Sequence, residues 1–447
     1  MAGSPTLKVS LGFDLSLSGP RAIVNFAIDR GSQNIHSLSA DPSALGIPDD
    51  FIPDSFRYSE PDYRFDPELW DAIGDPVRQV MGDDDVLWLE MASPSGFLAT
   101  LPWERMVQEH LEHVPVMRIP GFALYPDLGA GDLDVGLCIS QPRAKLTTLQ
   151  PEVVHQVVTN LARHVGEGPT VHVFTDAELH DALQRRFQET QVALPNVVVH
   201  DPSRAPDPDT MGPTLEDQSG AVTNPWLLWI LDELRGRTLD LLHFIAHGYL
   251  SGDQAAIAVA ESPMVREDRL WARFIGPNQL ATCLSQLGAW GVGFSSPNPN
   301  YSALALRQLV DDVARLRPGP VIHHDLAGDP NGEQLALAYD SVITRHGPVF
   351  MKNVFMYVHP RAFYPQEPDE VGLAEQLVSE ILEASPGDET PPAWVTSTRR
   401  YLEQSAALLF PSEAAPTSAG ETATSEGVRR VLQFVDEVVR RTGGSDL

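Results

Sequence analysis

Short apolar runs of about six residues recur through the middle of this chain, separated by stretches of about 10–16 residues with helical spacing. The runs fall at 134–140, 170–175, 196–200, 239–246, 255–260, 290–296, 319–325 and 353–358. Helical patterns are predicted over 151–165, 176–190, 224–236, 276–287, 301–316, 332–346 and 369–385. A strand that is apolar at every position must be covered on both faces, and the helices between strands supply the cover. The expected class is therefore α/β, a mostly parallel sheet flanked by helices. Ahead of this block, Leu7, Val9, Leu11 and Phe13 alternate, and Ala22 to Ile28 follow a Ser18-Gly19-Pro20 turn. That pattern predicts a β-hairpin region. Residues 40–65 are rich in Pro, Asp and Ser and read as irregular; a helix is expected over 67–81 and a strand over 86–91. Beyond about residue 386, Pro- and Ala-rich linkers flank two amphipathic helical patterns, 394–410 and 425–442, forming a C-terminal helical tail.

Charge narrows the function classes. The 447 residues include 31 basic and 61 acidic side chains, a net of −30, and only three lysines, Lys8, Lys145 and Lys352. Such a chain repels phosphate backbones and anionic lipid, so neither a nucleic acid nor a membrane is expected as partner. No apolar run approaches the roughly 20 residues needed to cross a bilayer, and the amino terminus lacks signal-peptide character. Two cysteines, Cys138 and Cys283, cannot build a disulfide framework, which points to a reducing compartment and a cytoplasmic protein. Cys283 lies in a helical segment and Cys138 inside a strand; both read as packed core residues. Gly291-Val292-Gly293 lacks the downstream Gly and Lys of a phosphate loop. His323 and His324 are adjacent on a strand and so point to opposite faces, which disfavours a metal site. No cofactor or metal is expected.

The segment Leu239 to Leu250 runs an apolar strand into His247-Gly248. This puts an imidazole at a strand's carboxyl end, where open α/β sheets hold their chemistry. On one continuous strand, His243, Ile245 and His247 share a face. A histidine here can serve as a general base; equally, both imidazoles can be hydrogen-bonded structural residues. The next strong strand, Gly291 to Ser296, runs into Pro297-Asn298-Pro299, with no cysteine at its end.

Asp240 to Gly248 resembles the histidine motif of CHAT domains, the caspase-like peptidase domains of bacteria. Three other segments resemble the family in order: Leu101-Pro102-Trp103-Glu104 after a strand; the strand 290–296, which in the family ends in the catalytic cysteine; and Val321 to Asp325, followed by Asp329 and a helix holding Tyr339. The resemblance covers roughly residues 80–360 and implies a caspase-like sheet, with His247 assisting a nucleophile on the neighbouring strand. It divides the chain into a β-rich extension (1–80), a CHAT-like domain (81–365) and an acidic helical tail (366–447). His243, Gly248 and Asp329 are then expected to line the cleft.

The sequence departs from the family where the nucleophile belongs, with Pro297, or Ser296 if shifted by one. Proline offers no nucleophile, and a serine needs a well-placed base and an oxyanion hole. The resemblance thus implies a catalytically impaired domain that binds a protein or peptide partner, or regulates one, in a bacterial signalling or conflict system. The alternative is an active peptidase using His247 with Ser296 or Ser295, or with a recruited cysteine. Oligomeric state is left open.

Overall fold

A computed structural model describes residues 4–363 apart from 17–18, 32, 49–61, 83–84, 93–94, 122–127, 129–131, 141, 143–148, 191–195, 207–221, 235, 253, 265–271, 298 and 345–346. The expected helices over 369–385, 394–410 and 425–442 lie outside the described residues.

The hairpin forms where alternation predicts it, as β1 (Pro5–Ser16) and β2 (Gly19–Arg30), with Leu7 opposite Ile28 and Val9 opposite Phe26. A third strand, β3 (Gln33–Ala40), pairs antiparallel with β2. Helix α1 (Pro67–Val80) starts where the Asp66 side chain accepts the Glu68 N–H at 2.9 Å, with Pro67 spending no needed donor at the first helical position. Strand β4 (Leu87–Met91), the short helix α2 (Trp103–Gln108) and β5 (Val116–Arg118) follow.

From β6 (Asp134–Ile139) the alternation of strand and helix sets in: α3 (Pro151–His164), β7 (Thr170–Thr175), α4 (Ala177–Thr190), β8 (Val197–Val199), α5 (Pro225–Leu234) and β9 (Leu241–Ile245). Three antiparallel strands, β10 (His247–Ser251), β11 (Gln254–Ala260) and β12 (Ala272–Ile275), make a separate small sheet. The alternation then resumes with α6 (Pro277–Gln286), β13 (Gly291–Ser296), α7 (Pro299–Leu316), β14 (Val321–Asp325), α8 (Glu333–Thr344) and β15 (Val354–Tyr357).

The large sheet has 12 strands in the order β3-β2-β1-β4-β5-β15-β14-β13-β9-β6-β7-β8. It is mostly parallel, antiparallel only at β1/β2, β2/β3 and β14/β15. The N-terminal hairpin is continuous with it, since Thr6–Val9 pair with Trp88–Met91. The packing likewise runs through residue 80: one cluster joins Leu7, Val9 and Phe26 to Trp70, Leu89, Trp103 and Val116.

Alternation decides which residues meet which helices. Leu242, Phe244, Val292, Phe294 and Val321 face α5, α6 and α7. Leu241, Ile245 and Ile322 face α3 and α8. Among the described residues no helix is long and apolar enough to cross a membrane.

Candidate functional site

Strands β9 and β13 are parallel neighbours in register, Gly293 beside His243 and Ser295 beside Ile245; on the other side of β13, Ser295 lies beside His324 of β14. His243, Ser295 and His324 therefore project from one face, toward α8. The Ser295 hydroxyl sits between the two imidazoles, 2.7 Å from His243 Nε2 and 2.7 Å from His324 Nδ1. His243 Nδ1 is 2.8 Å from the Tyr339 hydroxyl of α8, and His324 Nε2 is 3.1 Å from Asp329 Oδ2. His243, Ser295 and His324 are each 0% exposed. Asp329 also accepts N–H groups of Glu333, Gln334 and Leu335 at 2.8–3.2 Å, capping α8.

Only one sense of donation satisfies this chain with every side chain but Asp329 neutral. Burial pushes the Tyr339 phenol up, so it keeps its proton and donates to His243 Nδ1. His243 Nε2–H donates to Ser295 Oγ, the serine O–H donates to His324 Nδ1, and His324 Nε2–H donates to the Asp329 carboxylate. Burial, then the neighbouring His324, hold the His243 imidazole well below its ordinary range, in keeping with a neutral ring. Burial pushes the Asp329 carboxyl up, but hydrogen bonds from His324 and from the Leu335 and Gln334 amides outweigh it and hold it down. The relay needs Gly293: a Cβ there would lie 2.1 Å from the Tyr339 hydroxyl and 2.2 Å from His243 Nδ1.

His243 and Asp329, expected from the sequence to line a cleft, are 0% and 7% exposed and are tied together through the Ser295–His324 hydrogen bonds. Gly248 is half-buried and pairs with Ile257 in β10/β11. The histidine strand also ends earlier than expected. β9 stops at Ile245, Ala246 N–H donates to the Ser295 carbonyl at 3.1 Å, and His247 opens β10 opposite Ala258. His243 and Ile245 share a face, while His247 belongs to the other sheet. Burial lowers the His247 imidazole to about 4, so it is neutral at pH 7. Ser296 ends β13 beside Asp325 and is buried. His247 therefore lies just beyond the carboxyl end of β9 and Ser296 at the carboxyl end of the neighbouring β13, whereas Ser295 is held inside the relay.

The two thiols are buried. Cys138 is the penultimate residue of β6 and Cys283 lies within α6, both in the same core. Burial pushes the Cys283 thiol up to about 12 and Cys138 higher still, so neither ionises near neutrality.

A second buried polar cluster anchors the Leu101-Pro102-Trp103-Glu104 segment. Arg118 of β5 clasps the Glu104 carboxylate at 2.6 and 2.9 Å and donates to the carbonyls of Ala99 and Leu101. It lies over the Phe355 ring at 4.2 Å and reaches the Tyr357 hydroxyl, which donates to Asp311 at 2.7 Å. His323, on the face opposite His324, stacks on Phe355 with ring centroids 4.6 Å apart. Among the described residues no group of three or more His, Cys, Asp or Glu could hold a metal ion.

In the sequence, His324 figures only in weighing a metal site and within the last core strand, Tyr339 only as a residue of the following helix, and Gly293 only in weighing a phosphate loop. The signal for Gly293 and His324 lay in register, Gly293 beside His243 and His324 beside Ser295, whereas Tyr339 reaches His243 from α8. No family model matches the sequence, and no curated protein matches it at a significant level.

Proposed function

We propose that the chain carries a CHAT-like domain of caspase-like fold that has lost its nucleophile and acts by binding a protein or peptide partner, as a regulatory component of a bacterial signalling or conflict system. The observation that carries this reading is the end of β13. A histidine opens the segment after β9, in the place where the resemblance puts the base, yet the adjoining strand ends in Ser296-Pro297 and both thiols are locked in the core. The anchoring of Glu104 by Arg118 also supports the resemblance, because it gives the early Leu-Pro-Trp-Glu segment a structural task. A recognition surface and a nucleophile are separable, so the first can outlast the second.

One observation favours the rival reading, an active serine peptidase: His247 follows two residues after the end of β9, and Ser296 ends the neighbouring strand β13. The test is to incubate the whole protein, His247→Ala and Ser296→Ala with a peptide library, checking by circular dichroism that all three fold. The binding reading expects peptides retained and none cut. Cleavage by the parent protein that both variants lose would establish the peptidase reading instead. Retention of no peptide, together with no cleavage, would sink both.

A further inference from the structure

A second row of ionisable side chains lies at the β8 end of the large sheet, away from the Ser295 relay. His172 of β7 is 3% exposed, and its Nε2 stands 3.3 Å from Asp134 Oδ1 of β6. Its Nδ1 stands 3.0 Å from Nε2 of His200, the residue after β8, and His200 Nδ1 is 3.3 Å from Glu233 Oε2 of α5. The His200 ring lies flat on Phe174, with centroids 4.3 Å apart, and its backbone N–H donates to the Val173 carbonyl. The strand it closes is lightly held: β8 pairs with β7 only over Val197–Val199, and Val198 is exposed.

The protons in this row do not add up for two neutral rings. Three contacts need three protons, ionised carboxylates bring none, and neutral imidazoles bring one each. If each ring donates to its own carboxylate, two lone pairs face each other across 3.0 Å. One further proton completes the row, and His172 is where it fits. As an imidazolium it donates Nε2–H to Asp134 and Nδ1–H to His200, which stays neutral and donates Nδ1–H to Glu233. His200 suits the neutral part, because burial, opposed by the Glu233 hydrogen bond and aided by the charge of His172, holds its imidazole below its ordinary range. The surrounding described charges are Asp134, Asp240, which accepts the Asp134 N–H at 2.8 Å, Glu233, Asp201 with His180 of α4 acting on it, and Arg204, 3.6 Å from Glu233. A cation in the row thus meets more carboxylates than guanidiniums. We propose that His172 and His200 form a proton-operated latch on the β8 edge: one proton taken up by the pair ties β6, β7, β8 and α5 together, and its loss opens the contact between the rings and frees the carboxyl end of β8. The closed row holds a proton that the open one gives up, so acid closes the latch and alkali opens it.

Hydrogen exchange followed by mass spectrometry on the full chain, corrected for the intrinsic pH dependence of amide exchange, tests this from about pH 5.5 to 8.5. The segment 196–204 is expected to exchange at least tenfold faster at the alkaline end, and the central strand 291–296 should not follow it. His172→Gln and His200→Gln each replace a ring by an amide whose donors do not titrate, so 196–204 should lose its pH dependence in both. Exchange of 196–204 that is independent of pH in the parent protein overturns the proposal, as does a pH dependence that both glutamine variants keep. Nitrogen NMR of the histidine-labelled parent needs no variant to fold. It should show both ring nitrogens of His172 protonated at the acid end and one at the alkaline end; two rings neutral throughout would overturn the latch.

Discussion

Ser295→Ala isolates what the buried relay contributes. The substitution removes one oxygen and almost no volume, so the cavity left behind is negligible and the cost is polar. Without the hydroxyl, His243 Nε2–H loses its acceptor and His324 Nδ1 loses its donor, both in a site with no solvent exposure. A buried polar atom left without a partner costs about 1–3 kcal/mol, which puts the pair at about 2–6 kcal/mol. At roughly 2 °C per kcal/mol for a domain of this size, the melting temperature should fall by about 4–12 °C. Differential scanning calorimetry at pH 7.5 measures it, with Tyr339→Phe and the double variant completing a cycle. Because both changes act through His243, the double variant should be less destabilised than the sum by about 0.5–3 kcal/mol. A melting temperature within about 1 °C of the parent would refute the reasoning, by showing that the two imidazoles find other partners at no cost.

Acid should destabilise the protein from near neutrality. His247 is neutral in the fold with its imidazole lowered to about 4, while the unfolded chain takes up that proton below about 6.5, so stability is full above about pH 6.5 and falls toward pH 4 by about 3 kcal/mol from this residue. His247→Gln should flatten a plot of unfolding free energy against pH across that window, and an unchanged slope would refute the assignment. Breaking the Arg118 clasp with Glu104→Gln leaves a buried guanidinium uncompensated and should cost about 3–5 kcal/mol in chemical denaturation; a loss below about 1 kcal/mol would place that pair in contact with solvent. Gly293→Ala should cost at least as much as Ser295→Ala, since its methyl group displaces Tyr339 or His243. Both thiols should resist a thiol-reactive dye in the native protein and react fully in denaturant, with rapid native labelling of Cys283 the contrary result.

Much of the sheet was legible because strands buried on both faces are mostly apolar. Runs such as Val292–Phe294 and Val171–Phe174 announce themselves without help from their neighbours. The strands missed were of another kind. β5 is three residues long, β12 is four residues with only Ile275 buried, β3 is a polar edge, and β10 follows β9 after the single residue Ala246, so that two strands read as one. Side-chain periodicity cannot mark the point where a chain changes sheets, because that change is made by the backbone pairing of Ala246 with Ser295. The site was legible in part for the same reason. His243, Ser295 and Asp329 were singled out as individual residues, but their connection runs across β9, β13, β14 and α8, and depends on a registration no local pattern encodes.

The single direction in which the relay donates has a hereditary consequence. Each member is both a receiver and a sender, apart from Tyr339, which only sends, and Asp329, which only receives. Replacing one member strands the next, so the five positions cannot drift independently, and the two-sided demand falls hardest on Ser295. A lineage that gave up one of them would be expected to exchange the others for apolar residues, with Gly293 then released to acquire a side chain. In an alignment of relatives, residues 243, 293, 295, 324, 329 and 339 should therefore change as a block or not at all, whereas His247, outside the relay, should vary on its own schedule.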